Sequence, residues 1–129
     1  MSDVGGEDHL VLVAEDEALI RDMLEAALEE IGCRVLVAGT GDAALQMVAA
    51  GARPDLVVTD IRMPGALDGL AFVRCAVGVL PELKVLYISG HVAELDAERD
   101  AGVVRGARFL GKPFKLARFQ EIVRDLLAP

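Results

Sequence analysis

The sequence predicts one doubly wound α/β sandwich, a parallel sheet with helices on both faces, and three observations predict it. Short apolar runs alternate with helix-like patterns along the whole chain. The central runs, Leu10–Ala14, Leu56–Thr59, Val85–Ile88 and Phe109-Leu110, are continuously apolar, as strands covered on both faces are. No repeat and no linker breaks the series, and 129 residues that are 53% hydrophobic suit a single core.

Each element has its own signal. His9–Ala14 reads as the first strand. From Ala18 to Ile31, Ile20, Met23, Leu24, Ala27, Leu28 and Ile31 recur at helical spacing, with Arg21, Glu25 and Glu29 four apart on the opposite face. Gly32 ends that helix. Arg34–Ala38 is the second strand, and Gly39-Thr40-Gly41 is a turn with a helix cap before an alanine-rich helix to about Ala50. That glycine-rich turn lacks the Gly-Lys-Ser/Thr of a P-loop.

Pro54 and Asp55 introduce the third strand. A loop through Met63-Pro64-Gly65 leads to a helix carrying Leu67, Leu70, Val73 and Val77. Pro81 precedes the fourth strand at Leu83–Ile88, and the fifth is short, around Ala107–Leu110. Between them, Ala93–Ala101 supports only a short or mobile fourth helix, because glycines flank Val103-Val104-Arg105. The last helix, about Lys115–Leu127, has an apolar face of Leu116, Phe119, Ile122, Val123, Leu126 and Leu127.

Composition narrows the function. Thirteen basic against twenty-one acidic residues give a net charge of −8, and the basic residues are scattered, which argues against nucleic-acid binding. No apolar run approaches the roughly 20 residues that span a bilayer, and no leader pattern opens the chain. A cytoplasmic protein without a membrane partner is expected, with a flexible tail over residues 1–8 and the domain over 9–129. Cys33 and Cys75 lack metal-type spacing and are expected to be reduced, partly buried thiols.

Polar residues stand where the apolar runs end: Glu15-Asp16, Asp60, Ser89 and Lys112. Ligands of open parallel sheets bind at the carboxyl ends of the strands, so these groups should meet in one crevice. Clustered carboxylates repel unless a cation neutralises them, and Mg²⁺ accepts one or two carboxylates with a phosphate oxygen. A carboxylate can also take a phosphoryl group covalently, with a lysine and a hydroxyl to receive its charge. Singly, each residue has a plainer reading: acids at a helix N-terminus, a turn aspartate, a solvated lysine, a Ser-Gly turn. Only their recurrence at four strand ends favours the site.

The chain resembles the receiver domain of two-component response regulators. The similarity lies in Val11-Leu12-Val13-Ala14-Glu15-Asp16-Glu17, Pro54-Asp55-Leu56-Val57-Val58-Thr59-Asp60-Ile61-Arg62-Met63-Pro64-Gly65, Asp68-Gly69, Val85-Leu86-Tyr87-Ile88-Ser89-Gly90 and Phe109-Leu110-Gly111-Lys112-Pro113-Phe114. The resemblance implies a flavodoxin-like sheet in the order 2-1-3-4-5. It implies Asp60 as phospho-acceptor, assisted by Lys112 and Ser89, and Mg²⁺ (or Mn²⁺) on Glu15, Asp16, Asp60 and the Arg62 carbonyl. Ser89 and Phe109 would form the conformational switch, and Lys112–Pro113 would be cis. A histidine kinase or histidine phosphotransfer protein would donate the phosphoryl group, an unknown protein would receive the output, and the chain would be a monomer or a weak dimer. It would not be an enzyme beyond its own phosphorylation and slow dephosphorylation.

Some residues depart from the commonest pattern. Glu15 replaces an aspartate, and the loop Met63–Gly69 looks one residue longer. With Ser89-Gly90-His91, these features look like receivers of hybrid kinases or receivers standing alone beside them. Because the sequence stops at Pro129, just past the last helix, no output domain is expected. A fragment of a hybrid kinase, a phosphate sink and a non-phosphorylated binding module are the alternatives. A phosphatase or phosphotransferase would carry a second Asp two positions beyond its nucleophile, where this chain has Arg62. Arg62 and His91 are the candidates for setting phosphoryl lifetime.

Overall fold

The structure is a computed structural model, and it describes residues 8–90 and 106–129. The elements are β1 (Leu10–Ala14), α1 (Ala18–Glu30), β2 (Arg34–Ala38), α2 (Gly41–Ala49), β3 (Leu56–Asp60), α3 (Gly69–Val79), β4 (Lys84–Ser89), β5 (Arg108–Gly111) and α4 (Leu116–Leu127). The five strands form one parallel sheet in the order β2-β1-β3-β4-β5, as the resemblance implied. The short helix expected at Ala93–Ala101 and the candidate His91 lie outside the described residues.

Strand alternation divides the core between the two faces. Val11, Val13, Leu56, Val58, Leu86, Ile88 and Leu110 pack with Leu24, Ala27 and Leu28 of α1 and Phe119, Ile122 and Val123 of α4. Leu12, Ala14, Val57, Val85 and Tyr87 face the other way, onto Ala44 and Val48 of α2 and Phe72, Val73 and Ala76 of α3. Every one of these strand residues is buried, which is why the runs do not alternate with polar residues.

The helix ends follow their sequence signals. Gly32, at φ 93°, closes α1: its N–H donates to Glu29 O at 3.0 Å and the Cys33 N–H to Leu28 O at 3.1 Å, the paired bonds of a Schellman motif. The Thr40 hydroxyl accepts from Ala43 N at 3.0 Å and caps α2. Asp68 caps α3 in the same way through Ala71 N, at 2.9 Å, so Leu67 precedes that helix rather than lying on it.

Three side chains differ from expectation. Met23 is 45% exposed, because at 100° per residue it lies roughly 80° from the centre of the stripe made by Ile20, Leu24, Ala27, Leu28 and Ile31. Leu116, in the first turn of α4, is also exposed, ahead of the turns that meet the sheet. Cys33 is buried but Cys75 is exposed, so only one thiol belongs to the core. Burial, aided by the Asp55 charge, raises the Cys33 pKa, which keeps it protonated and unreactive. Among the described residues, no helix is long and apolar enough to cross a membrane.

Candidate functional site

The sheet's hydrogen-bond ladder continues one residue past several strands, and that extension carries the site. Ala14 is in register with both Ala38 and Thr59, and the Glu15 N–H continues the ladder by donating to Ala38 O at 3.0 Å. Asp60 pairs with Ile88, and Ile61 N donates to Ile88 O at 3.0 Å. Ser89 pairs with Gly111, and Lys112 N donates to Ser89 O at 2.7 Å. Glu15, Asp60, Ser89 and Lys112 thus arrive at one edge because backbone pairing puts them there.

Glu15, Thr59, Asp60 and Ser89 are the buried polar residues among those described, and three of them were singled out from the sequence. Burying such groups is costly unless they are paired. Lys112 Nζ donates to Asp60 Oδ2 at 2.7 Å and to Glu15 Oε1 at 3.4 Å, with Glu17 Oε1 at 3.9 Å. Glu15 Oε2 accepts from the Glu17 N–H at 3.1 Å, and Asp60 Oδ1 from the Arg62 N–H at 3.3 Å. Thr59 turns its hydroxyl onto the Asp60 carbonyl at 3.0 Å. The Lys112–Pro113 peptide is cis.

Glu15, Asp16 and Asp60 each offer a carboxylate oxygen, and these three atoms lie within 4.8 Å of one another. At that spacing two unit charges repel by roughly 3 to 4 kcal/mol at an effective dielectric constant of about 20. Three carboxylates against the single Lys112 ammonium leave two negative charges when all are ionised. An all-oxygen donor set with this charge fits a hard divalent cation.

The electrostatics record the crowding. Burial pushes the Glu15 pKa up to about 7, and the Asp60 charge adds to the rise; the Glu17 N–H and Lys112 oppose it. Burial works against the Lys112 ammonium, but its hydrogen bond to Asp60 and the charges of Asp60 and Glu15 outweigh that and raise its pKa.

The Glu15 shift has a measurable consequence. Unfolded, the carboxyl releases its proton near 4.5; folded, near 7. Without a metal, the folded chain therefore loses stability as pH rises through that window, by about 3 kcal/mol in all, and keeps the full cost above it. In chelator, Glu15→Gln should exceed the wild type in urea-unfolding stability at pH 8 and match it near pH 4.5. A stability difference that does not change with pH would rule out this origin.

Phe109 lies on β5 with its ring stacked on Tyr87, centroids 5.1 Å apart and planes 24° apart. Arg62 opens the loop between β3 and α3 and is exposed. The Asp42 carboxylate fastens that loop to the start of α2, accepting from Leu67 N at 3.0 Å.

Two participants escape sequence reasoning. Arg21, assigned above to the outer face of its helix, reaches back so that Nη1 donates to the Glu15 carbonyl at 2.9 Å. Its helical position offered a signal, since it flanks the buried stripe roughly 80° from the centre, while Glu25 and Glu29 lie further round. The Asp42–Leu67 bond joins residues 25 apart with no local signature.

Comparison with known proteins agrees with this architecture. The family model described as "Response regulator receiver domain" matches residues 11–124. The response regulator receiver protein CpdR of Brucella abortus is 35% identical over 120 residues, covering 92% of this chain and 97% of CpdR. The response regulator MprA of Mycobacterium tuberculosis is 36% identical over 118 residues; that match covers 91% of this chain but spans only half of MprA's length. Among solved structures, a response regulator receiver protein from Sinorhizobium medicae superposes with a TM-score of 0.85 at 36% identity, covering 94% of this chain and 95% of the other.

Proposed function

The chain belongs to the response regulator receiver family, and from that premise we propose that it accepts a phosphoryl group on Asp60 from a phosphohistidine of a histidine kinase or phosphotransfer protein. An Asp60 carboxylate oxygen forms the new P–O bond, the donor's N–P bond breaks, and the electron pair returns to the imidazole, which takes up a proton. The observation that carries this reading is a buried aspartate with an ammonium at 2.7 Å and two further carboxylates beside it.

In that reading Glu15, Asp16, Asp60 and the Arg62 carbonyl would hold Mg²⁺ (or Mn²⁺). The cation would supply charge neutralisation for the crowded carboxylates and the incoming phosphoryl oxygens. Lys112 exchanges its contact with Asp60 for one with a phosphoryl oxygen, keeping a cation against the new charge. Ser89 donates its hydroxyl to another phosphoryl oxygen. That movement gives Phe109, stacked on Tyr87, a second arrangement to occupy, so the local event can bias a wider two-state change. Arg62, beside the acceptor, influences how readily water attacks the acyl phosphate. The chain serves as a signalling intermediate, not as an enzyme on separate substrates.

Acetyl phosphate provides a donor-independent test. With Mg²⁺ present the wild type should accumulate phosphoprotein, and an excess of EDTA should reduce incorporation to background. Equal incorporation in Mg²⁺ and in EDTA would remove the metal from the account.

A further inference from the structure

We propose that Arg21 is a positioning residue for the acidic pair: by holding the Glu15 carbonyl at the end of β1, it sets how Glu15 and Asp16 meet a divalent cation. The inference rests on the metal reading of the site given above.

The geometry is local and complete. The Glu15 N–H is fixed by Ala38 O at 3.0 Å, and the Glu15 carbonyl is taken by Arg21 Nη1 at 2.9 Å. The backbone N–H of the same arginine donates to Glu17 O at 2.9 Å and opens α1. One residue therefore grips both ends of the Glu15–Glu17 turn, and Asp16 sits between the two anchored positions. A free turn would let the Asp16 carboxylate sample many orientations, each reducing the time it spends beside Glu15 and Asp60.

Gly39 makes room for this contact. A methyl group at position 39 would stand 3.2 Å from Arg21 Nη1, close enough to displace the guanidinium by a few tenths of an ångström. The guanidinium also binds a carbonyl rather than a carboxylate. Through that contact Arg21 acts on the backbone of the turn. Groups that orient ligands from outside the coordination shell typically change metal affinity by about 10- to 100-fold.

The test is Mn²⁺ titration followed by the electron paramagnetic resonance signal of the free ion, without any phosphoryl donor. Arg21→Gln should weaken Mn²⁺ binding about tenfold. Arg21→Lys, whose ammonium can still donate to the carbonyl, should lose less. Gly39→Ala should weaken binding by about threefold, and should add nothing in the Arg21→Gln background, since both act through one contact. Thermal melting accompanies each titration, because a purely structural arginine would lower Tm and leave Mn²⁺ affinity untouched. An Arg21→Gln affinity within about twofold of wild type overturns the proposal; if that variant does not fold, Gly39→Ala decides by the same standard. A wild type that binds no Mn²⁺ overturns the metal reading as well. Binding lost in Asp16→Asn but retained in Arg21→Gln overturns this inference alone.

Discussion

Asp60→Asn should reduce phosphoryl incorporation from acetyl phosphate to background while leaving the fold intact. The amide nearly preserves the shape of the side chain, so the Arg62 N–H keeps an oxygen acceptor of the kind it meets at 3.3 Å. It removes the carboxylate that would attack phosphorus, and a neutral amide oxygen is a poor nucleophile. Stability should not suffer greatly. Asp60 is one of the charges that raise the Glu15 pKa, and its loss relieves that repulsion while Lys112 retains Glu15 as a partner at 3.4 Å. Circular dichroism and intact-mass spectrometry on one preparation check both halves. Undiminished incorporation, at Glu15 or Asp16 for example, would reject Asp60 as the acceptor.

Gly69→Ala should be strongly destabilising. A β-carbon at Gly69 would overlap the Asp60 carbonyl oxygen, and would also lie 2.9 Å from Asp60 C and 3.1 Å from Ile61 Cα. All three are backbone atoms and cannot swing aside. The Gly69 N–H moreover donates to Ile61 O at 2.8 Å, clamping the start of α3 under the end of β3. Helix propensity argues the opposite way, favouring alanine over glycine by about 1 kcal/mol. Overpacking against fixed backbone costs about 3 kcal/mol or more and should win. Gly78, in the same helix, supplies the control: nothing lies within 4 Å of a β-carbon there, so Gly78→Ala should gain about 0.5 to 1 kcal/mol. Urea unfolding of both variants gives the two signs. A stabilised Gly69→Ala would mean that α3 is not packed this closely on the Asp60 backbone.

The sequence revealed most where local pattern and burial coincide. A strand buried on both faces must be apolar throughout, so the first charged residue after it marks the sheet's edge, as with Asp60 after Leu56–Thr59 and Glu15 after Leu10–Ala14. Parallel pairing then brings these ends together without information beyond strand order. Contacts that depend on where a long side chain bends were not legible in the same way. Arg21 satisfies the helical pattern equally well pointing outward, and only the turn from β1 into α1 gives its guanidinium the Glu15 carbonyl. The Asp42–Leu67 bond and the approach of Gly69 to Asp60 arise from tertiary packing of α2 and α3, which no local periodicity encodes. Met23 and Leu116 show the opposite limit: both fit an apolar stripe by spacing, yet its margin is exposed.

Phosphotransfer from a phosphorylated histidine phosphotransfer protein or histidine kinase, followed by chemical mapping of the phosphorylated residue, decides whether Asp60 takes the phosphoryl group. A hydroxylamine-labile acyl phosphate is expected on the peptide containing Asp60, and none in Asp60→Asn. A hydroxylamine-stable phosphoryl group, or one on a peptide that lacks Asp60, would contradict it.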